Sequence, residues 1–551
     1  MIEKVLVSLL LISSASAHIL SVTYNGTSYE IHDGVIVDDW VARGNFTDTT
    51  FEDGFAYLEL ESSSAYDDKV QAYAAGIVEG ALTHEMIYNH YRNTIEGYCD
   101  DKPEGYCDRL RTYLNENFEW LKSKITYYEL NNPTYYHSHL ILLQIDGMND
   151  GYNRVAKDPI EADSILMMNL KGDLEDLESA LDPTIRNMTS EEWVAAGNTP
   201  KDGSCSALIK ILPDNSDIYV SHVTWTHYST MLRILKKYIN PFRVAGSSLP
   251  QEIIAGHTVS FSSYPGMLFS GNDFHILSSG LLSMETTIGN SNPQLWQYVH
   301  SEGQILEWMR TIIANRMATD GDRWASFFIY RNSGTYNNQW MVVDYNLFQP
   351  GEPIRPGTLT VVEQIPKYTS RGDETDLLVL QSYFASYNIP FYETIFNFSG
   401  CNPLVEKYGD WYTYDKHPRA LMFERDHARV TDMDSLYSLM RYNDYKNDPL
   451  SRCDCDPPYS AENGISARSD LNPVDGRFPF SALEHRMHGG TDVKITNYEM
   501  AKNFLFLAVN GPTSDQQPVF RWSEQAEVDK KPHYGHPDEF NFAPVTHEWV
   551  W

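Results

Sequence analysis

Asp202-Gly203-Ser204-Cys205-Ser206-Ala207-Leu208-Ile209-Lys210 is the stretch on which the reading of the whole chain turns. A small, flexible segment runs into one cysteine, which then opens an apolar run of strand character. A thiol at the first position of a strand is placed to attack the carbonyl of the peptide bond before it. Gly203 and Ser204 let that bond bend into the strained turn such an attack requires. Once the bond is broken, Cys205 is a new N-terminus. Its free α-amine, with a pKa of about 8, then stands beside the thiol and acts as its base. The alternative is a buried structural cysteine.

Working outward, further motifs follow in order: His222-Val223-Thr224-Trp225, Phe261-Ser262-Ser263-Tyr264-Pro265-Gly266 and Glu285-Thr286-Thr287-Ile288-Gly289-Asn290. After these come Ser386-Tyr387-Asn388-Ile389-Pro390 and Tyr414-Asp415-Lys416-His417-Pro418-Arg419-Ala420. Together with Cys205-Ser206-Ala207-Leu208-Ile209-Lys210, this ordered set resembles the phospholipase B-like (lamina-ancestor) family of N-terminal-nucleophile hydrolases, over almost the whole chain. The resemblance implies an α+β fold of the four-layer αββα sandwich type, with Cys205 opening a central strand. It also implies self-cleavage between Ser204 and Cys205, giving fragments 18–204 and 205–551 within one compact unit. By the same resemblance His222, Trp225 and one threonine of the Glu285-Thr286-Thr287 segment line the pocket, Thr286 ahead of Thr287.

The residue types fit acyl transfer, which needs a thiolate, a proton acceptor and donor, and an oxyanion site. Asn388 offers amide hydrogens without adding charge, as an oxyanion donor does. Arg419 stabilises developing negative charge or holds the polar end of a substrate. Taken singly, each has a structural alternative: Asn388 as a turn former, Arg419 in an ion pair, His222 and Trp225 as core. His485, His488 and Asp492 invite a metal reading, but nothing else in the sequence completes such a site, so no metal or cofactor is expected.

The ends and composition agree with a secretory chain. Lys4, the apolar run from Val5 to Ile12, and Ala15-Ser16-Ala17 read as a signal peptide over residues 1–17, cut before His18. No later stretch reaches the roughly twenty apolar residues of a membrane span. The sequons at Asn25, Asn45, Asn187 and Asn397 fit the same route. The 551 residues are 42% hydrophobic, enough for a large core, and the formal charge of -33 argues against nucleic-acid partners and against docking on anionic lipid through basic patches. Cys99 and Cys107 bracket a short polar loop and read as a local disulfide. Cys453 and Cys455 either bridge across one residue or leave one of the two to Cys401.

Short alternating runs at 28–31, 34–37 and 56–60 read as strands, followed by helical patterns at 68–94, 108–130, 138–155 and 162–180. Asp182 to Ser204 is a polar connector open to cutting. Strand signals then dominate at 207–212, 217–225, 258–263, 274–283, 324–331, 340–345, 358–362 and 377–387, with helices at 305–318 and 434–442. The expectation is a secreted or lysosomal hydrolase of lipid acyl esters or N-acyl amides, of no stated oligomeric state. The alternative is a non-catalytic lumenal protein that binds lipid or glycan and keeps the fold and the self-cleavage.

Overall fold

The computed structural model of the protein describes residues 17–199, 204–245, 252–526 and 530–551. The expected leader, but for its last residue, and Gly203 lie outside the described residues. The chain opens on β1 (His18–Tyr24), β2 (Tyr29–Asp33), β3 (Ala42–Thr49) and β4 (Phe55–Ser62). Helices α1 (Asp68–Leu82), α2 (His84–Thr94), α3 (Tyr106–Tyr128), α4 (Pro133–Val155), α5 (Ser164–Asn169), α6 (Lys171–Ala180) and α7 (Ser190–Ala195) follow. Then come β5 (Ser204–Ile211), β6 (Ile218–His227), β7 (Arg233–Ile239), β8 (Thr258–Ser263), β9 (Phe274–Leu277) and β10 (Leu281–Thr287). Next are α8 (Glu307–Met317), α9 (Gly321–Ile329), β11 (Asn338–Asp344), β12 (Leu359–Gln364), β13 (Thr369–Asp373), α10 (Thr375–Gln381) and β14 (Tyr383–Ser386). The last third holds α11 (Glu393–Phe398), α12 (Cys401–Tyr408), α13 (Pro418–Asp426), α14 (Met433–Met440), β15 (His488–Gly490), β16 (Asp492–Thr496), α15 (Tyr498–Lys502), β17 (Leu507–Asn510), β18 (Phe520–Arg521), β19 (Glu539–Phe540) and β20 (Val545–Thr546).

Several elements differ from the sequence expectation, each for a local reason. Residues 34–37 form no strand: Gly34 turns the chain at φ 72, its N–H bonding back to Ile19 O, and 35–37 are irregular. The helical stretch 68–94 is two helices, broken at Thr83, whose hydroxyl donates to Glu79 O and competes with the helical ladder. Residues 274–283 are two strands reversed about Gly280 at φ 80. The run 324–331 begins as helix α9 because Asp320 caps the Arg323 N–H and Trp324, Ala325 and Phe328 bury one helical face. The run 377–387 starts as helix α10, turns at Ser382 with φ 59, and only then becomes β14.

The strands make an eleven-stranded sheet in the order β13-β12-β11-β10-β9-β8-β7-β4-β3-β1-β2. A second, seven-stranded sheet runs β14-β5-β6-β16-β17-β20, with β15 also on β6. The period of two along β5 sorts its side chains. Ala207 and Ile209 join Val220 against Phe274, Leu282 and Met284 of the larger sheet. Leu208 and Val223, on the opposite face, pack against Met422 and Phe423 of α13 and Leu436 of α14. On the larger sheet Leu58 and Leu60 meet Ile77 and Val78 of α1, while Trp340 and Val342 meet Trp324 and Phe328 of α9. Helices and two large sheets thus form a mixed α+β fold, with the start of β5 at the end of an internal strand.

Candidate active site

Strand β5 lies between β14 and β6, so both its edges are paired. The antiparallel register sets Ser386 opposite Ala207. Continuing past the end of β14 therefore brings Tyr387 and Asn388 alongside Ser206 and Cys205. Asn388 holds φ 71, a left-handed conformation that asparagine tolerates better than most residues. In that pose its Oδ1 accepts the backbone N–H of Cys205 at 2.9 Å. This nitrogen is the one that cleavage would turn into an α-amine.

Arg419 completes the brace from the first turn of α13, where Pro418 starts the helix and His417 Nδ1 accepts the Arg419 N–H. Its Nη2 donates to Asn388 Oδ1 at 2.8 Å and to Tyr387 O at 2.8 Å. Its Nη1 donates to the Cys205 carbonyl and, at 3.3 Å, to Ser206 Oγ. The guanidinium also lies 4.2 Å from the centre of the Trp225 ring. Burial lowers its pKa to about 10, which leaves it charged at any lumenal pH. These partners are all neutral acceptors, so its charge is not cancelled by direct contact with a carboxylate. Asn388 Nδ2 meanwhile donates to Thr287 O at 2.6 Å, leaving its second N–H for another acceptor. The asparagine read from sequence as an oxyanion donor is thus first a holder of the Cys205 nitrogen.

Cys205 is 3% exposed, and burial followed by the nearby Asp273 carboxylate pushes its thiol up to about 12. The thiol of the intact chain is protonated and needs a base. It lines a small cavity of about 30 Å³, room for a water or two and not for an acyl chain, together with Trp225, Asp273, Thr287, Tyr336 and Lys171. Of the expected threonines, Thr287 lines this cavity, whereas the Thr286 hydroxyl lies 2.5 Å from Ser386 Oγ and ties β10 to β14. His222 sits opposite Ala207, two pairs along from Cys205 and Thr224. Its Nε2 donates to Glu285 O at 2.7 Å, and burial followed by Lys494 holds it far below the usual histidine range, hence neutral.

Asp273, Lys494 and Arg233 escaped the sequence reading. Asp273 stands in the Cys205 cavity at φ 69 and accepts from Tyr336 Oη at 3.1 Å; only the Gly271-Asn272 turn before it hinted at an unusual backbone. Burial raises Asp273, and burial and Asp273 together raise Glu285 beside it. Beneath Thr224, Asp492 accepts the Thr224 N–H at 2.8 Å and pairs with Lys494 at 2.8 Å and with Arg233. Asp492, considered above with a metal, is therefore bound to two cations, and His485 Nδ1 bonds to Asn472 O at 2.7 Å. Among the described residues no group of three or more His, Cys, Asp or Glu is arranged to hold a metal ion.

Cys99 joins Cys107 and Cys453 joins Cys455, while Cys401 is a buried free thiol near Ser399 Oγ. Asn25, Asn187 and Asn397 are exposed; Asn45 is half-buried within β3. Among the described residues no helix is long and apolar enough to cross a membrane.

The family model described as Phospholipase B matches residues 42–547. "Putative phospholipase B-like 2" of Mus musculus is 47% identical over 529 residues, covering 93% of this chain and 85% of its own length. The Homo sapiens protein of the same name is 48% identical over 523 residues, 93% and 86% of the two chains. "Phospholipase B-like protein B" of Dictyostelium discoideum is 37% identical over 510 residues, 92% and 85%.

Proposed function

Because the chain belongs to the phospholipase B family, we propose that it is a secreted or lysosomal hydrolase that cuts itself before Cys205 and then cleaves acyl ester or amide bonds of lipids. The fold in this reading is the four-layer αββα sandwich of the N-terminal-nucleophile hydrolases. It is supported by the two facing sheets and by the helices packed on their outer faces. The observation that carries the proposal is the clamp on residue 205. Asn388 Oδ1 holds its nitrogen and Arg419 its carbonyl, an investment without purpose around an inert buried thiol.

In maturation, the Cys205 thiol loses its proton and the sulfur bonds to the Ser204 carbonyl carbon. The C–N bond breaks, and the nitrogen takes the proton as an amine. Water then hydrolyses the Ser204 thioester, returning the thiol and releasing a Ser204 carboxylate. In turnover the α-amine takes the thiol proton, and the thiolate adds to the acyl carbonyl. The ammonium protonates the departing alcohol or amine, and water frees the acid from the thioester. The Lys494 ammonium acts on the thiol in the direction of the thiolate, against the larger effects of burial and Asp273.

The test has two readouts. N-terminal sequencing of the larger fragment should begin at Cys205, and Cys205→Ala should remain a single chain. Fatty-acid release from mixed phospholipids and N-acyl amides at about pH 5 should then require Cys205. A cleaved protein that retains lipid and releases no acid from either class establishes the binding alternative.

A further inference from the structure

Self-cleavage needs a base for the Cys205 thiol at a stage when the later α-amine is still an amide nitrogen, bonded to Asn388 Oδ1. Two carboxyl groups that the steps above leave unused lie at hand. β9 and β10 pair Phe274 with Met284, so one position farther on Asp273 stands across from Glu285. Both are buried. Asp273 Oδ2 accepts from Tyr336 Oη at 3.1 Å. Asp273 Oδ1 and both oxygens of Glu285 have no hydrogen-bond partner among the described residues. The nearby Lys494 has no N–H left for them: it donates to Asp492 Oδ2 at 2.8 Å, Thr224 Oγ1 at 2.6 Å and Asn272 O at 2.9 Å. Two carboxylates side by side at low dielectric do not both ionise, and one proton between them satisfies an oxygen of each. Burial and the charge of Asp273 put that proton on Glu285. Asp273 is then the charged member, with Glu285 and Tyr336 both donating to it.

Asp273 also has the reach. It lies just ahead of β9 at φ 69, and with Cys205 it lines the cavity that holds a water or two. After burial, its charge is the largest influence on the thiol. Burial raises Asp273 as well, which makes it a stronger base than a solvated carboxylate. The other ionisable groups of the cavity are Lys171 and Glu175 of α6, His227 at the end of β6, and Tyr336. Lys494 of β16 and Glu307 of α8 act on the carboxyl pair from beyond it. Glu175 and His227 each engage another group, and neither is among the main influences on the thiol.

We infer that Asp273 is the proton acceptor and donor of self-cleavage, and that Glu285 is the positioning residue that holds it through a shared proton. The assignment rests on the reading that the chain cuts itself before Cys205, and it supplies the base which that reading lacks. Asp273 takes the thiol proton, directly or through a water in the cavity, as the sulfur bonds to the Ser204 carbonyl carbon. As the C–N bond breaks, the same proton passes from Asp273 to the Cys205 nitrogen. The Asp273 carboxylate is restored, Glu285 keeps its proton throughout, and the new α-amine takes over as the base of turnover.

The experiment follows pulse-labelled full-length chain on a denaturing gel, from one band to two, at a series of pH values. The wild-type rate should fall on the acid side as Asp273 takes up a proton, above the usual aspartate range because burial raises it. Asp273→Asn keeps the shape and tolerates the left-handed backbone. It should slow conversion roughly 100-fold or more, the worth of a general base, and abolish the acid limb. Glu285→Leu leaves the Asp273 anion one donor short, so its acid limb should move to higher pH by about 1 to 2 units. Glu285→Gln, which still donates to Asp273, should restore most of that shift. Conversion of Asp273→Asn at the wild-type rate, or with the acid limb in place, overturns the base role. Slowing in Glu175→Gln beside a normal Asp273→Asn overturns it too and moves the role to Glu175. Should Asp273→Asn fail to fold, the two Glu285 variants decide, and identical limbs in both overturn the shared proton. A wild-type chain that never divides defeats the self-cleavage reading and the relay with it. A wild type that cuts before Cys205 no faster than Asp273→Asn loses only the relay.

Discussion

Arg419 touches the carbonyl of residue 205, the amide oxygen of Asn388 and the ring of Trp225 at once, which a planar fork of donors allows and a single ammonium does not. Arg419→Lys should therefore slow self-cleavage nearly as much as Arg419→Met, by roughly 100-fold if the clamp is worth what an oxyanion donor is. The half-time of conversion from one band to two on a denaturing gel measures it, and cleavage by the lysine variant at the wild-type rate would refute the bidentate role. Asn388→Ala removes the acceptor of the Cys205 N–H and should slow the same conversion. Asn388 and Arg419 were legible in the sequence because their residue types suit the chemistry and they sit in motifs of recognisable order. Asp273 was not, since an aspartate in a Gly-Asn-Asp turn looks like any other until the turn is folded against Tyr336.

Helices α1 and α4 approach so closely that glycines on each meet the backbone of the other. A Cβ built on Gly76 would lie 2.1 Å from Gln144 O, and one on Gly80 would lie 2.1 Å from Met148 O. Neither neighbour is a flexible side-chain end, so Gly76→Ala must push the helices apart. We expect a loss of about 1 to 3 kcal/mol or more, read as a fall in the melting temperature. A melting curve coincident with wild type would show that the helices separate without penalty. Ala72, Ala75, Gly76, Gly80 and Ala81 are small residues on α1 that permit this close packing. The helical start of 324–331 was not legible in the sequence, because its aromatic and β-branched residues favour strands locally, while Asp320 and the face shared by Trp324 and Phe328 make it a helix.

The proposed cut falls inside a molecule that two fragments build jointly. β4, from the N-terminal side, pairs in parallel with β7 over seven positions, Phe55 with Arg233 through Glu61 with Ile239. Cleaved protein should therefore give bands of roughly 20 and 40 kDa before glycans under denaturing conditions, and one particle of the combined mass by native light scattering. Separation of the fragments without denaturant would contradict the shared sheet. Stability should also depend on pH. Glu307 is fully buried, and burial followed by the charge of Asp173 pushes it up to about 8, against about 4.3 for a free glutamate. Below about pH 4 the folded and unfolded chains both hold that proton, and its contribution to stability is complete. As pH rises toward 8 the unfolded chain loses the proton first, so stability falls across that window. The net charge of -33 adds repulsion in the same direction. Melting should be higher at pH 5 than at pH 8, and Glu307→Gln should flatten the difference; an unaltered slope would remove Glu307 from the account.

The sequence by itself determined the family, the candidate nucleophile and the mixed α+β class. Each of these is written in short ordered motifs and in the apolar period along the chain, which survive without any long-range contact. Tertiary structure decided what those residues face. Cys205 and Asn388 are joined only by the register of β5 against β14, and Arg419 reaches both only because α13 packs on that sheet. Side-chain direction reverses with every residue along a strand, so Thr286 and its neighbour Thr287 serve different partners although their residue types are the same. The thiol's high pKa likewise arises from burial and from Asp273, a residue far from it in the chain, and local sequence carries no record of either.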